Sequence, residues 1–180
     1  MTDWIYPDDF DRWARLLEGF GVSAFRLETL QTYDSPGEAE MVARFRAGKP
    51  HGGDTSWWRS LSERHRSAGH KMSRVRVVTE PLTDYTRLSL VVFPEFVEAG
   101  EDVRIIYAPA EWPSGIPQHD FWLFDDEDLW LMHYTAENKY IGAEHIQDRE
   151  AVDRHRRWRD LALARSMPLS SYLSTTRKAS

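Results

Sequence analysis

The stretch that decides the fold runs from Phe121 to Ile146, FWLFDDEDLWLMHYTAENKYIGAEHI. Phe121–Phe124, Leu129–Tyr134 and Tyr140–Ile146 are aromatic-rich runs with alternating character. A period of two is that of a strand, whose successive side chains point to opposite faces. The connectors are short and polar: Asp125-Asp126-Glu127-Asp128, then Thr135 to Lys139. Short polar turns between alternating runs predict an antiparallel meander.

Upstream, Ser23 to Leu30 alternates Phe25, Leu27 and Thr29 with Arg26 and Glu28, the pattern of a half-buried strand. Met72 to Glu80 sets Val75 and Val77 against Arg74 and Arg76, and Pro81 closes it. Val103 to Ala108 is a short strand. Helical spacing of Phe10, Trp13, Leu17 and Phe20 follows the acidic opening Asp8, Asp9, Asp11. Ser35-Pro36-Gly37-Glu38 opens a second helix, with Ser35 as cap and Pro36 in the first position. Ser56 to Ala68 packs through Trp57, Trp58, Leu61 and His65. Between Asp84 and Phe93 the residues Tyr85, Leu88 and Val92 fit a helix, with Thr83 as cap and Pro94 as stop. Leu88 to Phe93 also reads as a buried strand; the cap and stop decide for helix. A charged helix runs from Arg149 to Ser166 behind Asp148, and a loose tail is expected from about Thr175. The sum is a single α+β domain over residues 1–180: a mixed sheet of about six strands, including the meander 121–146, packed by about five helices that favour one face.

Apolar residues make up 41% of the chain and aromatic ones 13%, with eight Trp, enough for a substantial core. No run approaches the ~18 apolar residues of a membrane span. The acidic N-terminus lacks a signal-peptide pattern. Cysteine is absent, which excludes disulfides, thiolate nucleophiles and Cys-based metal sites and fits a cytoplasmic protein. The formal net charge of −6 gives no ground for general nucleic-acid affinity.

Five residues form the candidate site: Arg26, Glu28, Arg74, Arg76 and Glu80. Within each strand they share parity, hence a face. If the two strands are neighbours, three guanidiniums meet two carboxylates. The planar fork of Arg matches carboxylate and phosphate oxygens, so such a face could hold an anionic ligand. It could equally be a cross-strand salt-bridge ladder. A ladder would pair every Arg; a ligand site would leave one aimed into an open pocket.

Other groups carry less. His133 and His145 sit with the aliphatic face of the meander and read as hydrogen-bonded interior residues. His65 and His70 straddle Gly69 and share no helical turn; no HExxH pattern occurs, so neither zinc nor any cofactor is expected. The acidic hairpin lacks the ligand spacing of a calcium loop. No GxSxG elbow, P-loop or dinucleotide fingerprint appears, so the balance leans away from an enzyme. Arg59, Arg64, Arg66, Lys71, Arg74 and Arg76 form a basic stretch, and Arg154, Arg156, Arg157 and Arg159 another. Glu95, Glu98, Glu101 and Asp102 form an acidic one. Solvated faces or a dipolar docking surface would both give this pattern.

Several segments carry a resemblance: Ala24-Phe25-Arg26-Leu27-Glu28-Thr29-Leu30, Arg74-Val75-Arg76-Val77-Val78, Glu80-Pro81-Leu82-Thr83-Asp84-Tyr85, Gly100-Glu101-Asp102-Val103-Arg104, Asp120-Phe121-Trp122-Leu123-Phe124-Asp125, Gly142-Ala143-Glu144, Pro168-Leu169 and Tyr172-Leu173. In this order and spacing the chain resembles an uncharacterised actinobacterial family, a domain of unknown function often found near helix-turn-helix regulators. The resemblance implies a regulatory setting and no reaction.

Three functions follow as expectations. The first is an accessory or regulatory protein that binds a protein partner, a helix-turn-helix regulator being one candidate. The second is a binding or hydrolytic domain for a phosphorylated small molecule or nucleotide, using the Arg/Glu face. The third is a weak nucleic-acid binder, although neither nucleic acid nor membrane is an expected partner. A flat aromatic patch would favour the first, a buried concave Arg/Glu cluster the second, and a continuous basic surface the third.

Overall fold

The computed structural model describes residues 3–34 and 37–178. In chain order the elements are β1 (Trp4–Ile5), α1 (Phe10–Gly19), β2 (Ser23–Glu28), α2 (Glu38–Arg46), α3 (Ser56–Ser67), β3 (Lys71–Thr79), α4 (Asp84–Ala99), β4 (Asp102–Ala108), β5 (Phe121–Phe124), β6 (Asp128–Tyr134), β7 (Tyr140–Ile146), α5 (Arg149–Arg165), β8 (Met167–Pro168) and α6 (Leu169–Lys178). The eight strands form one mixed sheet in the order β1-β7-β6-β5-β2-β3-β4-β8. The fold is α+β with the expected meander, since β5, β6 and β7 pair consecutively and antiparallel. The count exceeds the expected six strands because β1 and β8, two residues each, are too short to show a period.

β2, β3 and β4 are parallel neighbours. Parallel pairing needs a crossover, and helices supply it: α2 and α3 between β2 and β3, α4 between β3 and β4. The helices are unequally shared between the two faces. Under α5 lie Phe25, Leu27, Val75, Val77, Phe121 and Leu123 with Ala151, Val152 and Ala162. On the other face α1 and α3 bury Ala24, Met72, Trp122 and Phe124 with Leu17 and Leu61, while α4 and α6 bury Val78, Val103 and Ile105 with Phe93, Leu169 and Tyr172. β2 and β3 are therefore covered on both sides, so the half-buried reading of their charged face is corrected: Glu28, Arg74 and Arg76 are buried.

Side-chain caps set the helix starts. Asp9, Thr83 and Asp148 each accept from the backbone N–H three residues on, satisfying donors the first turn leaves free. The cap proposed at Ser35, with Pro36, lies outside the described residues. Pro94 does not stop α4, which continues to Ala99 with the proline inside it. The stop is Gly100, at φ 115°, where a Cβ would lie 2.6 Å from Arg66 Cδ. The tail expected from about Thr175 is helical to Lys178. Among the described residues no helix is long and apolar enough to cross a membrane.

Candidate functional site

Parallel pairing of β2 with β3 puts Arg26 opposite Arg74 and Glu28 opposite Arg76. Strand parity turns all four side chains to the face beneath α2, α3 and α4, between the two apolar clusters there. Glu28 is the hub. Its Oε1 accepts from Arg74 Nη1 at 2.9 Å and lies 3.1 Å from Arg26 Nη1; its Oε2 accepts from Arg76 Nη1 at 3.2 Å. Burial alone would raise the pKa of this carboxyl. The three guanidiniums outweigh that and hold it at about 2. Burial likewise opposes the charge of Arg26, yet Glu28, Tyr134, Tyr33 and Asp120 raise its pKa above the usual arginine value.

The three arginines differ in how well they are matched. Arg74 is satisfied: Nε donates to Glu101 Oε1 at 2.7 Å and Nη2 to Oε2 at 3.4 Å, besides the bond to Glu28. Trp58 Nε1 donates to the same Glu101 Oε2 at 2.7 Å. Arg76 reaches the Leu30 carbonyl at 3.1 Å and Thr86 Oγ1 at 3.4 Å, but its Nε is buried without a partner among the described residues. Among the described residues Arg26 has its ion pair with Glu28 and the faces of Trp122 and Tyr33, at 5.4 and 6.0 Å. Its Nε is likewise buried and unpartnered among the described residues.

Over this cluster lies a cavity of about 430 Å³. Its polar floor includes Arg26, Glu28, Arg76, Tyr33 and Tyr85; its apolar walls include Trp58, Leu88, Val92, Phe93, Met41 and Met132. The mixture is that of a small-molecule site: apolar walls with a few convergent polar groups. Tyr85 Oη donates to Glu38 Oε1 at 2.7 Å; Glu38 also lines the cavity, and its Oε2 is buried with no partner among the described residues. Burial raises the pKa values of Tyr33, Tyr85 and Tyr134 well above the phenol range, so all three remain neutral. Tyr33 and Tyr134 donate to Asp120 Oδ2, at 2.6 and 3.2 Å, while the Thr29 N–H and hydroxyl occupy Oδ1, both at 2.7 Å.

Of the five sequence candidates, the structure brings Arg26, Glu28, Arg74 and Arg76 together. Glu80 is not among them. It lies past the end of β3, exposed, accepting from Tyr107 and from the Leu82 backbone. The second carboxylate is Glu101, 3% exposed, which in sequence looked like part of a solvated acidic stretch. Tyr33, Glu38, Tyr85 and Asp120 were also missed, since none shares a strand or helical period with the arginines. The basic stretch divides: Arg74 and Arg76 are interior, while Arg59, Arg64, Arg66 and Lys71 are exposed. Asp125 of the hairpin does more than face solvent: its carboxylate accepts from the backbone N–H groups of Gly21, Val22 and Ser23, at 2.7 to 2.8 Å. Two histidine pairs also appear that spacing alone did not show. His65 and His70 approach to 3.1 Å across Gly69, and His119 and His155 to 3.0 Å.

The chain belongs to the family described as a domain of unknown function, DUF6879, which matches residues 11–174. No curated protein matches it in sequence. Among solved structures it is similar to TrmBL2, an archaeal chromatin protein that shows a novel mode of DNA binding, with a TM-score of 0.51 and 10% identity. The match covers 93% of this chain and 54% of that one, so the chain spans about half the length of its structural relative. At this identity the likeness is one of fold. It corrects the expectation that nucleic acid is no partner, because the fold occurs in a DNA-binding protein. Net charge is a sum over the whole chain and does not describe the local surface a phosphate backbone would meet.

Proposed function

We propose that this DUF6879 domain is a small-molecule-binding module whose ligand places an acceptor oxygen, from a carboxylate or a phosphate, on Arg26. One observation carries the reading: Arg26 and Arg76 both line the cavity with an Nε that has no partner among the described residues, and of the two Arg26 makes the fewer other bonds. A buried unmatched cationic donor is costly, and a ligand oxygen removes that cost. The aromatic wealth of the chain also fits: Trp58, Phe93 and Tyr85 wall a concave site rather than form a flat patch for a protein partner. Binding suits the site better than hydrolysis. Glu28, with a pKa of about 2, is a poor general base, and no histidine is among the residues lining the cavity.

A ligand screen by thermal shift on the wild type and on Arg26→Gln tests this. Some small polar molecule should raise the Tm of the wild type and not of the variant. Equal shifts in both, or none in either across carboxylates, phosphates and nucleotides, would remove the reading.

A second reading is nucleic-acid binding, favoured by the fold shared with TrmBL2. Arg59, Arg64, Arg66 and Lys71, exposed on α3 and at the start of β3, would meet the phosphates. Duplex DNA should then bind with an affinity that falls steeply as salt rises. Fluorescence anisotropy that detects no complex at low salt would dispose of it.

A further inference from the structure

Besides the unmatched Nε atoms of Arg26 and Arg76, the residues lining the cavity carry an unmatched group of opposite sign. Glu38 Oε1 accepts from Tyr85, but Oε2 is buried and unpartnered, and no ion pair reaches this carboxylate among the described residues. Glu38 is the first residue of α2, so the free N–H groups of that turn favour a negative charge there. Among the described residues Arg26 Nε and Arg76 Nε lack an acceptor and Glu38 Oε2 lacks a donor; Arg76 is the better satisfied of the two arginines, by Glu28, the Leu30 carbonyl and Thr86.

Two tyrosine rings stand between these groups. The guanidinium of Arg26 is 6.0 Å from the Tyr33 ring, the Tyr33 and Tyr85 rings are 5.4 Å apart, and the Tyr85 hydroxyl reaches Glu38. A ligand satisfying both ends therefore spans this pair rather than sitting at one point. Leu88, Val92, Met41 and Met132 make the intervening walls apolar.

Charge bookkeeping narrows the class. The cations of the cluster, Arg26, Arg74 and Arg76, number three, and the carboxylates Glu28, Glu101 and Asp120 also number three; all but Arg26, whose side chain is 21% exposed, are buried. The interior is formally balanced before Glu38 is added. A doubly charged phosphate would leave a surplus of negative charge in a desolvated space, at a large electrostatic cost. A molecule with one acceptor head and one cationic or strongly donating tail would not.

Resting on the small-molecule reading, we infer that the ligand is two-ended: a carboxylate on Arg26, an ammonium or comparable donor on Glu38, and an apolar body across Tyr33 and Tyr85. It is an elongated zwitterion rather than a phosphate ester.

A matched series tests the class. Calorimetric titrations would use ω-amino carboxylates from aminobutyrate to aminooctanoate, with aminomethylbenzoate as a ring-bearing member. Carboxylates and amines of the same lengths, and inorganic phosphate, serve as one-ended controls. At least one two-ended member should bind roughly tenfold or more tighter than both of its one-ended analogues. Glu38→Gln should abolish that advantage while leaving carboxylate binding in place, and Arg26→Gln should abolish carboxylate binding. Carboxylates that bind as well with as without the amine, unaffected by Glu38→Gln, would overturn the two-ended class and leave the Arg26 site standing. Phosphate as the sole ligand would do the same. No binding by any probe, with both variants indistinguishable from wild type, would overturn both.

Discussion

Glu28 Oε1 accepts from Arg74 Nη1 at 2.9 Å, and both partners of this ion pair are withdrawn from water. The same oxygen serves Arg26, and the other oxygen serves Arg76. One carboxylate thus pairs with three guanidiniums, two of them buried. Removing its charge leaves cations with too few partners in a desolvated interior. Glu28→Gln should lower the unfolding free energy by about 3–5 kcal/mol, the range for breaking a buried pair from one side. Urea denaturation at neutral pH measures this directly.

Arg74 and Arg26 should separate in their effects. Arg74 pairs with both Glu28 and Glu101, so Arg74→Ala leaves the buried Glu101 without its cation and should cost about 3–5 kcal/mol. Arg26→Gln leaves Glu28 with two cations, and its effect on stability should stay within about 1 kcal/mol. The comparison is between urea midpoints of two single variants. Equal losses would mean that Arg26 is as structural as Arg74.

Acid should act in two windows. His155 Nδ1 lies 2.8 Å from the Ala151 carbonyl, which only accepts, so this nitrogen carries the hydrogen and Nε2 accepts from His119. Burial pushes the pKa of His155 down to about 4, and those of His119 and His65 down as well. A histidine with a depressed pKa binds fewer protons folded than unfolded. Its stabilisation is full above its ordinary value near 6.5 and is lost as pH falls towards about 4. For Glu28 the stabilisation is present above 4.5 and is lost as pH falls towards about 2. Urea midpoints against pH should flatten in the upper window for His155→Gln and in the lower for Glu28→Gln. A His155→Gln curve parallel to wild type throughout would refute the histidine assignment.

Gly142 secures the edge of the sheet. Its φ is 147°, and a Cβ there would collide with Trp4 Nε1 and lie 2.9 Å from the Ile5 carbonyl oxygen. Gly142→Ala should displace β1 and destabilise the domain by about 1–3 kcal/mol. Faster exchange of the Ile5 amide, with β5 and β6 unchanged, would report the displacement.

The meander was legible because alternation and turn chemistry agree over Phe121–Ile146. So was the shared face of Arg26, Glu28, Arg74 and Arg76, since parity depends only on strand geometry. Glu101 was not. It follows the helix stop Gly100 and precedes β4, where no period says which way a side chain turns. Glu80 misled for the converse reason: parity extrapolated past the end of β3, where the chain leaves the sheet. Tyr33, Glu38 and Tyr85 reach the cavity from a loop and two helices, a convergence that only the crossover helices create. Pro94 misled because a missing N–H weakens a helix without having to end it.

Arg26, and not Arg74, is the arginine proposed to offer an unfilled donor to a ligand. The arginine Nε–H resonances, followed by NMR as a cavity ligand from the titration series is added, address it most directly. The Arg26 signal should shift and gain protection from solvent exchange. The Arg74 signal, already engaged by Glu101, should stay in place. A ligand that binds and shifts Arg74 while leaving Arg26 unmoved would contradict it.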